Sequence, residues 1–372
     1  MNILIAGDYC PRNRVQPIVD RSDYVKIFEK VKPIVNQVDY SIVNLECPVV
    51  KGQGTPIKKC GPNLRTSEKG VEALKWVGFD CVTLANNHFY DYGDEGVGDT
   101  LQTCKIYDID FVGGGNNLFE ASQILYKEFL GKRLAIVNCC EHEFSIATKT
   151  SGGSNPLNPV QQYYAIQEAK TKADYVLVIV HGGHEHWQLP SPRMVETYRF
   201  FIDAGADAVV NHHQHCFSGY EVWHGKPIFY GLGNFCFDIE PPMQNDIWNY
   251  GYMVQLSFEE QGVSFSLLPY EQCGSQIGVS MLQKSAFSLR LGELNTIITD
   301  FEKLSAETEK YYSSCALQYS NVFEPLYNRF FLGAKQRGWV PSFISVKRKI
   351  HAANRVCCES HRDKLMWWLN NK

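Results

Sequence analysis

Five times along this chain a short β-prone run ends in a turn whose residues can hold a cation. The runs are Ile3–Ala6 into Gly7-Asp8, Tyr40–Val43 into Asn44-Leu45-Glu46, Cys81–Ala85 into Asn86-Asn87-His88, Tyr175–Val180 into His181, and Ala208–Val210 into Asn211–His215. Apolar runs of this length, bounded by turn residues, predict buried strands. Helical patterns lie between them at Ser67–Val77 and Arg193–Ala204, with Gly78 and Gly205 placed as C-caps. Strand–helix alternation predicts an α/β fold with a largely parallel sheet. Ligands of open α/β sheets gather at the carboxyl ends of strands, where all five polar clusters would stand.

The donor types in those turns suit one another. Seven of the eleven histidines fall between His181 and His224. Imidazoles completed by carboxylates suit manganese, iron or zinc. Glu46 is the candidate bridge between two divalent ions. One ion would take Asp8, Glu46 and His215; the other would take Glu46, Asn87, His181 and His213. Such a pair activates water and clamps an in-line displacement. His88 is placed to protonate a leaving group or hold transition-state charge, and Asp91 to orient it. Taken singly, each element has a structural explanation; Asn86-Asn87-His88 alone is a turn sequence. His184, His186 and His224 are expected to be structural, and His212, in an extended segment, to point away from His213. Recurrence at five strand ends is what favours a metal centre.

The chain has 372 residues, a formal charge of -4 and 44% hydrophobic residues. These values describe an ordinary globular protein. A slightly acidic chain with no nucleic-acid motif argues against nucleic-acid binding. No window approaches the roughly 18 apolar residues of a membrane span. The N-terminus reads as a strand rather than a signal peptide, so no transmembrane anchor is expected. Thirteen cysteines include no Cys-x-x-Cys, and two pairs are adjacent (Cys139-Cys140 and Cys357-Cys358). That pattern opposes a disulfide framework and fits a reducing cytoplasm.

Residues 1–275 are expected to form the main domain and 276–372 a helical C-terminal appendage, with Leu291–Tyr312 its clearest helix. From Arg329 onward ten Lys/Arg face two acids, ending in Met366-Trp367-Trp368-Leu369. That segment could dock to a partner, an anionic polymer or a membrane surface, although a solvated face is the commoner meaning of scattered charge. Loops Lys51–Thr66, Ser145–Gln161 and Glu240–Tyr250 are expected to be irregular and to line a cleft. Lys58, Lys59 and Arg65 in the first could meet an anionic substrate. Glu185 could touch substrate or support His181.

Several stretches resemble the CapA-type capsule and poly-γ-glutamate synthesis proteins of the calcineurin-like metallophosphatase superfamily. They are Gly7-Asp8, Asn44-Leu45-Glu46-Cys47-Pro48, Leu84 to Gly93, Gly113 to Asn117, His181 with Gly183 and Glu185, His212 to His215, and Gly231 to Phe235. The resemblance runs from about Asn2 to Phe258. It implies a metallophosphatase-like four-layer α-β-β-α sandwich and a role with a capsule or other polyanion, and its ligand pattern matches the assignment above. Cys10 stands where the wider superfamily has a histidine; its thiolate could bind zinc, and a packed thiol is the other reading. Gln214 replaces the usual proline, Gly182 an aromatic residue and His186 a tyrosine. Two functions follow. One is a hydrolase acting on a phosphate ester or amide of an anionic polymer or its precursor. The other is a non-catalytic component that binds the polymer within a capsule-synthesis assembly.

Overall fold

The computed structural model describes residues 1–129, 131–241, 246–323, 337, 339 and 345–370. Each of the five runs is a strand, but they do not share one sheet. Asn2–Cys10, Tyr40–Leu45 and Cys81–Thr83 lie parallel, with Asp110–Val112 beyond them. Antiparallel strands Tyr250–Glu259, Gly262–Gln272 and Val279–Met281 extend this sheet on the other side, and Asn234–Phe237 pairs with the end of the first strand. Tyr175–His181 and Ala208–His212 belong to a second sheet, between Lys132–Cys140 and Lys226–Phe229, with antiparallel edges Leu125–Phe129 and Tyr220–Trp223. One largely parallel sheet is thereby corrected to two mixed ones. An apolar run announces a strand, but its partners are chosen by packing that the run does not carry.

Period-two alternation builds the layers. Ile3 and Ile5 enter one apolar cluster with Ile136, Val178 and Val209 of the second sheet. Leu4 and Ala6 enter another with Val71 and Leu74 of the helix Glu68–Val77. That helix and Gly93–Ile106 cover the first sheet, while Pro159–Lys172 and Pro192–Asp203 cover the second. The result is a four-layer α-β-β-α sandwich followed by a helical C-terminal segment.

Gly7 carries the closest backbone approach in this frame. A Cβ there would lie 1.8 Å from the Gly233 carbonyl oxygen, which accepts the Asp8 N–H at 3.1 Å. Gly7→Ala is therefore expected to destabilise the fold by about 3 kcal/mol in denaturant unfolding, because neither backbone can yield without moving Asp8.

The sheet's last strand, Val279–Met281, lies beyond residue 275. Helices Lys284–Ile298, Phe301–Phe323, Val346–Cys357 and Glu359–Asn370 follow. Trp367 packs edge-on to Tyr312, so its ring is engaged within the chain. Of the loops, Ser145–Gln161 is only partly irregular: Gly153–Ser154 pairs with Gly114–Gly115, and a helix starts at Pro159. Residues 242–245 of the loop Glu240–Tyr250, and 329–336, 338, 340–344 and 371–372 of the basic C-terminal stretch, lie outside the described residues. All thirteen cysteines are free. Among the described residues no helix is long and apolar enough to cross a membrane.

Candidate metal centre

The donor groups meet where the parallel strands of both sheets end. Asp8 sits inside its strand, at a break in register with both neighbouring strands; such irregularities re-aim a side chain. Glu46 follows Tyr40–Leu45 directly, Asn87 lies in the turn after Cys81–Thr83, and His181 ends its own strand. His213 and His215 follow the strand that ends at His212. Their φ angles are 92° and 56°. Non-glycine residues seldom adopt this left-handed region, and strain of this kind collects at functional sites. A turn therefore brings the two imidazoles round, rather than alternation along an extended segment. His212 faces elsewhere, its Nε2 2.9 Å from the Ala6 carbonyl oxygen.

Two groups of donor atoms form, each with all its atoms within 4.8 Å of one another: Asp8, Glu46 and His215, and Glu46, His181 and His213. Glu46 is common to both. Its Oε1 is 3.5 Å from His181 Nε2 and 3.6 Å from His215 Nε2. Asp8 Oδ2 lies 3.7 Å from His215 Nδ1. Asn87 Oδ1 and His213 Nδ1 approach His181 Nε2 to 3.0 and 3.1 Å. All six side chains are buried. Both carboxylate oxygens of Glu46 are buried and, among the described residues, meet no hydrogen-bond donor. Isolated burial of a carboxylate is strongly unfavourable, and a mixed imidazole–carboxylate–amide set fits divalent ions of the manganese, iron or zinc kind. Burial, reinforced by Asp8, raises the Glu46 pKa far above the usual carboxylate range. Burial also lowers that of His181, helped by His213, and pushes His215 down to about 4. Neutral imidazole is the form that ligates metals.

Asn44 and Asn234 hold the donors in place. Asn44 Nδ2 donates to Asp8 Oδ1 at 2.7 Å and lies 3.3 Å from His181 Nδ1. Asn234 Oδ1 is 2.9 Å from His215 Nδ1, and its Nδ2 donates to the His215 carbonyl at 3.1 Å. Sequence reasoning gives neither asparagine a role, although both stand in motifs it quotes. Asn234→Ala is expected to weaken metal binding about 10–100-fold, as loss of a ligand's orienting partner does, in a chelator-competition titration.

His88 Nδ1 is 2.7 Å from Asp91 Oδ2, which also accepts the Leu64 N–H at 2.6 Å. Lys59 pairs with the other Asp91 oxygen, and its Nζ is 3.0 Å from His88 Nδ1. We assign the Nδ1 proton to the Asp91 bond, which leaves Nε2 for chemistry. Burial lowers the His88 pKa, Lys59 lowers it further, and Asp91 opposes both. The Lys59 side chain is only 2% exposed. It is therefore not the exposed substrate contact expected from its loop; it counters a fully buried aspartate.

Arg65 is exposed and binds its own loop, donating to the Gly52 and Gln53 carbonyls and lying over the Tyr92 ring. Glu185 is exposed beside the centre. Crowding by surrounding protein raises its carboxyl pKa, but the field of His213 and His215 outweighs this and lowers it. Cys10 is buried beside the Cys47 thiol and belongs to neither donor group. His184 bonds the Tyr312 hydroxyl at 3.1 Å, His186 stacks on Trp248, and His224 stacks on Trp223. Glu143, which no sequence motif singled out, pairs with His361 at 3.3 Å.

Residues 2–239 match the family model described as bacterial capsule synthesis protein PGA_cap. The chain is 36% identical over 246 residues to the capsule biosynthesis protein CapA of Bacillus anthracis, covering 64% of this chain and 60% of that protein. It is 34% identical over 235 residues to the PGA biosynthesis protein CapA of Bacillus subtilis, covering 62% of each. The chain thus spans about three-fifths of the length of these relatives. Among solved structures, a novel phosphatase from Mycoplasma pneumoniae aligns with TM-score 0.45 at 14% identity, over 74% of this chain and 95% of that one. A 5'-nucleotidase from Candida albicans aligns with TM-score 0.43 at 12% identity, over 72% and 50%. Those two likenesses are too loose to bear on chemistry. The family match over most of the sandwich is of a different order, and by it the chain belongs to the bacterial capsule synthesis proteins.

Proposed function

We propose that this chain is a dinuclear-metal hydrolase that cleaves a phosphate ester or amide in an anionic, capsule-type polymer or its precursor. The observation that carries this is Glu46: a fully buried carboxylate that meets no donor among the described residues and is common to two sets of imidazole and carboxylate groups. Asp8, Glu46 and His215 would hold one divalent ion, and Glu46, Asn87, His181 and His213 the other. When bound, such ions activate water and neutralise charge developing on the substrate. His88, its ring fixed by Asp91, presents Nε2 to protonate the leaving group. Asn44 and Asn234 keep Asp8, His181 and His215 aimed inward. Glu185, exposed beside His213, is the residue placed to touch substrate.

A second reading has support in the names of the relatives, which are biosynthesis proteins rather than hydrolases. In it the same centre binds the polymer within a synthesis assembly and cleaves nothing. Metal analysis of the purified protein, with phosphomonoester, phosphodiester and poly-γ-glutamate assays, separates the two. About two ions per chain, with turnover lost in Asn87→Ala and His213→Ala, supports the hydrolase. Two ions with polymer binding but no turnover supports the second reading. No bound metal, and no turnover with any added divalent ion, overturns the centre itself.

A further inference from the structure

The last two helices, Val346–Cys357 and Glu359–Asn370, meet the loop that follows Lys132–Cys140. There Glu141 and Glu143 face a thiol and an imidazole. His361 Nε2 is 3.3 Å from Glu143 Oε1, and Cys358 Sγ is 3.9 Å from Glu141 Oε2. The donor atoms of Glu143, Cys358 and His361 all lie within 4.8 Å of one another. Cys358 is 1% exposed, and the Glu143 side chain 9%.

Several pairings hold the surroundings, and one of them, from Asn354, reaches Glu143 itself. Arg193 bridges Glu141 at 2.7 Å and Asp363 at 2.9 Å. His142 Nδ1 meets Glu359 at 2.6 Å. Asn354 Nδ2 donates to Glu143 at 3.2 Å. The neutral thiol makes only a weak bond to Glu141, and a bound cation would offset the carboxylates that otherwise disfavour its thiolate.

We infer that Glu143, Cys358 and His361 form a third cation site, distinct from the dinuclear centre, which takes a zinc-class ion and fastens the C-terminal helix pair to the main sandwich. Thiolate, imidazole and carboxylate are the donors zinc uses. With bonds of about 2.0–2.3 Å, tetrahedral donors stand roughly 3.3–3.8 Å apart. The Glu143–His361 pair is already at that separation. Closing Cys358 onto the ion releases the thiol proton to solvent as the metal–sulfur bond forms. The His361 side chain is 33% exposed, and a zinc ion held by three protein ligands takes a water as its fourth.

The test uses the full chain, stripped by chelation and titrated with Co(II) and Cd(II). Wild type is expected to take up three ions, one of which brings a sulfur-to-metal charge-transfer band. Cys358→Ser is expected to abolish the band and lower uptake to two. His361→Gln, at a partly exposed position, should weaken the band-linked ion at least tenfold while the protein stays folded. In hydrogen exchange, residues 345–370 should become less protected when that ion alone is missing. A total of two ions with no band, or a band that survives Cys358→Ser, overturns the proposal and leaves the dinuclear centre untouched. Absence of the other two ions with the band retained would be the reverse failure.

Discussion

Glu46→Gln is expected to shift stability in opposite directions in the two forms of the protein. In chelated protein it replaces a buried carboxyl, which meets no donor among the described residues, by an amide of the same shape. The metal-free fold should gain about 1–3 kcal/mol at neutral pH, because a carboxyl whose pKa burial raises must take up a proton on folding and an amide need not. In metal-loaded protein the same change removes the shared ligand. The stabilisation from binding, about 2.7 kcal/mol per ion at a hundredfold excess over Kd, should then be lost, and turnover should fall by at least the ~10²–10³ seen when one transition-state donor is removed. Thermal unfolding with and without added manganese or zinc measures both arms. A Tm that moves the same way in both would mean that Glu46 is not a ligand.

Lys59→Met should produce the largest loss of stability of any single change behind the site. Asp91 is fully buried, and Lys59 is the cation that pairs with it. Leaving a buried charge without its partner typically costs about 3–5 kcal/mol. Adding Asp91→Asn to Lys59→Met should recover much of this, and a double-mutant cycle would report the coupling. Independence of the two substitutions would contradict the pairing. Loss of hydrolysis beyond the loss of folded protein would show that Lys59 also keeps His88 in its working orientation.

What could be read from the sequence had local causes. Apolar runs and the turns that end them located all five strands, and Gly78 and Gly205, at φ 113° and 117°, follow their helices in the left-handed form that their type suggests. The donor residues stood out because each lies within a few positions of a strand end. What could not be read depended on distance along the chain. Nothing in Tyr175–His181 says that it belongs to a different sheet from Tyr40–Leu45. Lys59 looked like part of a solvated basic loop, and only the fold shows Asp91 waiting for it. Asn234 reaches His215 across 19 residues, Glu143 reaches His361 across 218, and no periodicity signals such pairs. Alternation along an extended segment turns His212 away from His213, whereas a strained turn sets the direction of His213 itself.

Asp8, Glu46 and Asn87 ride on one sheet, and His181, His213 and His215 on the other. Among the described residues no ladder joins the two. Cations held between them would act as rivets across a slip plane. Loss of metal would then be felt as slackness between layers before any strand unravelled, and amides at the rims of Tyr40–Leu45 and Ala208–His212 should exchange sooner than those at their middles. Tightness of ion binding in this protein would be, in part, a measure of how far its halves are free to slide.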